Sequence, residues 1–182
     1  MNKNILFSVI LLIVSVQTTI ATSKNDFPFN EIQKDSSRIA ELDRYWERLN
    51  KTVIEGDFEG NKNCFHKDAV VVFASGKNKI SVPISKALEY WKGGFKNTRE
   101  GKTKVNIEIR FSQRIGDETT AHETGMFIYS STDTTTKITN KFIIPFEMVL
   151  VKLDNQWFAL MEHQKPFATQ KEWDALKRTS RI

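Results

Sequence analysis

The apolar residues of this chain change period partway along it, and the change separates a helical half from a strand half. Residues 22–34 are polar, contain Pro28 and show no periodicity, the pattern of a lead-in segment. From Asp35-Ser36-Ser37 onward, Ile39, Leu42, Trp46, Leu49 and Val53 recur at three- and four-residue steps, with Tyr45 beside them. That spacing predicts one amphipathic helix, opened by capping residues and stopped near Gly56. Phe58, Cys64 and Phe65 predict a short second helical segment ending near His66, and the apolar run 69–74 reads as a buried strand closed by Ser75-Gly76. A third helix is predicted after Pro83, with Ile84, Ala87, Leu88, Trp91 and Phe95 on one face and Gly93-Gly94 loosening its end.

Beyond residue 103 the period becomes two. Val105, Ile107, Ile109 and Phe111 alternate with Asn106, Glu108, Arg110 and Ser112, and further strands are predicted at about 119–130, 138–152 and 156–166. The connections are Gly116-Asp117, the polar run 130–136 and Asp154-Asn155, short enough to make each strand antiparallel to the next. Thr169-Gln170-Lys171-Glu172 has the form of a capping box, opening a last short helix with Trp173 and Leu176. The element order gives an α+β class: one domain over 35–182, with a curved antiparallel sheet wrapped on three N-terminal helices and a short C-terminal helix.

Strand alternation then sorts side chains onto two faces. With Gly116-Asp117 as a two-residue turn, Phe111 opposes His122, Ile109 opposes Thr124 and Ile107 opposes Met126, while Arg110 opposes Glu123 on the reverse face. With Asp154-Asn155 as the next such turn, Leu150 opposes Ala159, Met148 opposes Met161 and Phe146 opposes His163, with Glu147 opposite Glu162 behind them. The apolar parity must cover the helices. His122, Thr124 and His163 are therefore expected as the few polar groups on a greasy concave surface. Arg110, Glu123, Glu147 and Glu162 are expected outside as a surface or interface charge network. A one-residue shift would reverse either partition.

Composition adds a compartment. Residues 1–21 combine a short basic start, a nearly unbroken apolar run over 5–16 and small residues at Thr19 and Ala21, the three-part form of a cleaved secretory signal peptide. The apolar run is too short for the roughly 20 residues that span a bilayer, so no stable membrane anchor is expected. Residues 1–21 carry Lys3 and no acid, so their removal lowers the net charge from +5 to +4, too mild to suggest a nucleic-acid partner. The single cysteine, Cys64, precludes an internal disulfide and is expected to be buried. His66, His122 and His163 lack any close ligand spacing, so neither a metal nor a cofactor is expected. Asn50-Lys51-Thr52 fits a glycosylation sequon but falls within a predicted helix, and the basic C-terminal residues Lys171, Lys177, Arg178 and Arg181 read as a solvated face.

Four segments carry a family resemblance: Ile54-Glu55-Gly56-Asp57, Asp68-Ala69-Val70-Val71-Val72, Gly116-Asp117-Glu118, and Trp157 six residues before His163. Over about 38–178 the chain resembles the SnoaL-like branch of the nuclear-transport-factor-2-like proteins. The resemblance implies a cone, in which a strongly bent sheet encloses an apolar pocket closed by three helices, and a homodimer formed through the outer sheet face. It implies either a carrier of a small hydrophobic molecule or a cofactor-independent isomerase, dehydratase or hydrolase. The pocket wall would include Trp46, Trp91, Thr124, Met126, Phe146, Met148 and Met161. His122 and His163, with Tyr45 on the first helix, match the acid–base positions. No aspartate falls on the predicted concave parity, a departure from isomerase-type relatives that use a carboxylate base.

Overall fold

In the computed structural model, residues 29–75 and 79–176 are described, the first six of them by backbone alone. Helix α1 spans Phe29–Glu55 and α2 spans Phe58–Lys62. Strand β1 (Phe65–Phe73), β2 (Ile80–Pro83) and α3 (Ile84–Arg99) follow. The long strands are β3 (Thr103–Gly116), β4 (Thr120–Asp133), β5 (Thr139–Leu153) and β6 (Gln156–Gln164), before α4 (Gln170–Ala175). The six strands form one curved sheet in the order β2-β1-β6-β5-β4-β3, antiparallel throughout except where β1 runs parallel to β6. The α+β arrangement read from the periodicity is the observed one.

The helix stripes are buried where the spacing placed them. Leu42, Tyr45, Trp46 and Leu49 of α1, with Ile84, Ala87, Leu88 and Phe95 of α3, pack on Ile109, Phe111, Phe146, Met148 and Leu150 of the sheet. Cys64 is fully buried in this core. Gly56 ends α1 at φ +68°, where a side chain would collide with the backbone of Phe95 and Arg99. Several local expectations need correction. The α1 backbone is helical from Phe29, so Asp35-Ser36-Ser37 lies inside the helix rather than at its start. Residues 65–68 belong to β1, and the edge strand β2 was not foreseen, because four residues ahead of a proline carry too little pattern. Gly93-Gly94 does not end α3, which continues to Arg99. Residues 1–21, expected as a signal peptide, and Lys177, Arg178 and Arg181 lie outside the described residues.

Helix α4 covers part of the outer face of the sheet. Thr169 accepts from the Glu172 amide while the Glu172 carboxylate accepts from the Thr169 backbone N–H, the reciprocal pair its sequence announced. Its Trp173 packs on Ile128 and Ile143, and the Arg110 guanidinium lies 4.2 Å from the ring centroid while donating to the carbonyls of Trp173 and Leu176. Arg110 therefore faces outward, as the alternation indicated, but it holds down a helix instead of joining an acidic cluster.

Candidate functional site

Two one-residue bulges decide which side chains look into the cone. The β3–β4 pairing runs Ile115 to His122 and Arg114 to Glu123 near the turn, then resumes at Phe111 opposite Gly125, leaving Ser112 as the extra residue. The β5–β6 pairing keeps Leu150 opposite Ala159, then shifts to Val149 opposite Met161 and Met148 opposite Glu162, with Leu160 extra. Each bulge reverses the alternation beyond it. The longer loop at 117–119 leaves the parity unchanged, since it moves the register near the turn by an even number of residues. The result corrects the expected partition. Glu123 and Glu162 turn inward, whereas His122, Thr124, His163, Met126 and Met161 do not.

The inward faces enclose an apolar cavity of about 320 Å³, at the small end of the ~300–1,000 Å³ range of small-molecule sites. Its walls come from α1 (Trp46, Leu49, Val53), α3 (Trp91, Phe95) and the sheet (Phe65, Val105, Ile107, Ile109, Phe127, Phe146, Met148). Trp46, Trp91, Phe146 and Met148 thus line it, while Thr124, Met126 and Met161 are absent from its lining. The polar lining consists of Asn50, Asn61, Tyr90, Thr98, Tyr129, Glu162 and Gln164. Gly94, on α3, also lines it, and a Cβ there would meet nothing within 4 Å.

Glu162 is the cavity's one carboxyl group, 8% exposed. Its Oε1 accepts a 2.8 Å hydrogen bond from Gln164 Nε2, and no Lys, Arg or His lines the cavity with it. Burial raises its pKa above the ordinary 4.5, opposed only by the Gln164 hydrogen bond. A carboxyl raised by folding contributes most at low pH, and stability falls as pH rises from the ordinary value through the raised one. Glu162→Gln removes that penalty while retaining an oxygen for Gln164. The variant should therefore melt a few degrees above the wild type at pH 7.5, with the gap closing below about pH 4.5. Paired thermal melts across pH check this.

Asn61, 2% exposed on α2, is oriented by a chain of hydrogen bonds. Thr52 Oγ1 gives its proton to the Leu49 carbonyl, so it can only accept, 3.1 Å from Asn61 Nδ2. Asn61 Oδ1 is left buried with no partner. The same contacts bury Thr52 of the Asn50-Lys51-Thr52 sequon, whose asparagine lines the cavity.

The remaining candidates have other surroundings. Tyr45 is 1% exposed and donates to the Cys64 carbonyl at 3.3 Å; burial pushes its pKa well above 10.0, so it stays a protonated core group beyond the cavity lining. His122 and His163 do meet, but around Glu147 away from the cavity: His122 Nε2 lies 2.8 Å from Glu147 Oε1, and His163 Nδ1 lies 3.9 Å from Oε2. Lys165 Nζ completes the group at 3.1 Å, and it and His122 hold the Glu147 carboxyl below its usual range. His66 is elsewhere, its Nδ1 accepting from the Asp68 amide. Among the described residues no group of three or more His, Cys, Asp or Glu side chains is placed to hold a metal ion.

Glu123, fully buried, belongs to a network at the other side of Trp46. Its carboxylate accepts from Trp46 Nε1 and from Arg114 Nε, each at 2.5 Å, and Arg114 Nη1 also reaches Asp43 at 2.5 Å. The arginine guanidinium lies 4.1 Å from the Phe111 ring centroid. This network fixes the indole that forms one wall of the cavity. Alternation alone missed both inward glutamates. The available signals were Gly125 in mid-strand, a frequent partner of a bulge, and the apolar run 157–161, which breaks strict alternation.

No protein-family model matches the chain, and no curated protein matches it significantly. Solved structures do. A conserved protein from Planctomyces limnophilus superposes with a TM-score of 0.61 at 8% identity, over 73% of this chain and 98% of that one. A nuclear transport factor 2-like superfamily protein from Salmonella enterica gives 0.56 at 14% identity, over 75% and 95%. A ketosteroid isomerase-like protein from Erwinia carotovora gives 0.55 at 10% identity, over 71% and 95%. At these identities the likeness concerns architecture, and the architecture of this chain is the nuclear-transport-factor-2-like cone.

Proposed function

We propose that this chain is an exported, SnoaL-like small-molecule-binding domain that holds a mainly apolar ligand in the cone, with Glu162 as its polar handle. The observation that carries the reading is a pre-formed cavity with mostly apolar walls and one buried carboxyl group. Burying an apolar ligand there removes hydrophobic surface from water, while Glu162 orients its polar end. Export rests on the leader-like pattern of residues 1–21. Among the described residues no helix is long and apolar enough to cross a membrane.

Gly93 and Gly94 supply the test. A Cβ at either meets nothing within 4 Å, but only Gly94 lines the cavity. Replacing glycine in a helix by leucine gains roughly 0.5–1 kcal/mol at both sites. Gly94→Leu also intrudes on the ligand's space. A compound present at 100 times its Kd should raise the melting temperature by about 5–10 °C in wild type and Gly93→Leu. In Gly94→Leu that rise should be largely lost. Equal rises in all three proteins would place the ligand elsewhere.

A second reading is favoured by the same carboxyl. A buried glutamic acid with a raised pKa holds its proton to higher pH than an ordinary carboxyl, which suits the acid–base step of a cofactor-independent isomerase or dehydratase. Glu162 then takes the acid–base role expected of His122 and His163, and Gln164 orients it. Turnover of a lipophilic carbonyl compound that disappears in Glu162→Gln, with binding retained, distinguishes enzyme from carrier. Homodimerisation through the outer sheet face, where His122, Glu147, His163 and Lys165 meet, remains part of the proposal.

A further inference from the structure

The cavity's polar chemistry is one-sided. Glu162 is a buried acid with a single hydrogen bond, from Gln164, and no cation lines the space around it. Its second oxygen has no hydrogen-bond donor among the described residues. Asn61 Oδ1, fixed by the Thr52 relay, is a second acceptor without a donor. The other titratable groups of the lining are the hydroxyls of Tyr90 and Tyr129, and Tyr45 lies in the core behind. A buried carboxylate without a counter-charge is costly, so a ligand that brings a cation gains what the protein leaves unpaired.

The walls suit the same ligand. Trp46, Phe65, Trp91, Phe95, Phe127 and Phe146 present aromatic rings to a space that holds one small molecule. Ring faces attract a cation as well as apolar surface, and the attraction grows where water is excluded. An ammonium group carries up to three donors and no acceptor, the complement of a cavity-lining carboxylate with an unmatched oxygen.

We propose that the ligand of this cavity is a lipophilic, aromatic monoamine, bound as an ammonium ion against Glu162. The proposal rests on the reading of the cone as a ligand site and narrows it to one chemical class. An amine entering uncharged takes the proton from the Glu162 carboxyl, giving carboxylate and ammonium. An amine already protonated meets the carboxylate, and the Glu162 proton leaves to solvent.

Tryptamine and tryptophol test this, since they match in shape and differ in amine against hydroxyl. Isothermal titration of the full chain at pH 7.5 should give tryptamine at least about tenfold tighter binding, the scale of one charge-assisted hydrogen bond. In Glu162→Gln the advantage should shrink to about twofold or less. Should that variant fail to fold, the wild-type ratio still decides. Equal affinities in wild type, or an amine advantage that survives Glu162→Gln, would overturn the amine class while leaving a ligand-binding cone. Failure of both probes to bind would count against the amine proposal and against the cone as a site for ligands of this size.

Discussion

Glu123→Ala should cost about 3–5 kcal/mol of folding stability, the penalty of removing one partner from a buried ion pair. The carboxylate is fully buried between the Trp46 indole N–H and Arg114 Nε, so its loss leaves the indole without an acceptor and Arg114 with Asp43 alone. Arg114→Ala should cost a similar amount, because it strands Glu123 as an unpaired buried charge. Replacing Arg114 and Glu123 together by methionine should recover much of the loss, since packed apolar groups avoid the desolvation cost of the pair. Equilibrium denaturation measures all three. A Glu123→Ala cost below about 1 kcal/mol, the value of an exposed ion pair, would mean that Glu123 faces solvent. The expected loss ties a charged side chain to the cavity, because the same carboxylate holds the Trp46 wall in place.

Gly125→Ala should cost about 2–3 kcal/mol, although the change adds only one methyl group. Gly125 stands opposite Phe111 where the Ser112 bulge interrupts β3, and a Cβ there would come 2.2 Å from the Arg110 carbonyl oxygen. Backbone on backbone leaves no flexible side chain to give way. The sheet would have to open at the bend that places Glu123 inside. Gly93→Ala is the control, with space around the new methyl and a helix gain of up to about 1 kcal/mol. Denaturation midpoints with opposite signs for the two glycines are the expected result.

These two sites show how far the chain can be read before its structure. The stripe from Leu42 to Leu49, the third-helix face from Ile84 to Phe95 and the Thr169–Glu172 cap follow from local spacing, and each is observed. Antiparallel order among the four long strands follows from their short connections. The cavity residues on α1, α3, β3 and β5 were legible too, because no bulge reverses their relation to the helices. On β4 and β6 the reading failed, because of the bulges at Ser112 of β3 and Leu160 of β6. Alternation carries no memory of an inserted residue, so one extra residue moves every later side chain to the other face. Gly125 marked one break weakly. Glu162 could not be read as buried from sequence, because its environment is supplied by residues as distant in the chain as Asn61 and Trp46.

The outer-face histidines illustrate the same point. His122 and His163 were expected to share one face, and they do, around Glu147. Each had been placed by its own hairpin, and both hairpins carry one bulge. Two equal errors preserved the neighbourhood and inverted the side.

The most direct measurement is a carbon-detected NMR titration of the Glu162 carboxyl in the full chain, free and with tryptophol bound. Glu162 is expected to titrate with a midpoint above the ordinary 4.5, and to move higher when the neutral ligand displaces water beside it. A midpoint at or below 4.5 that does not respond to the ligand would contradict a cavity-facing carboxyl, and with it the proposed binding site.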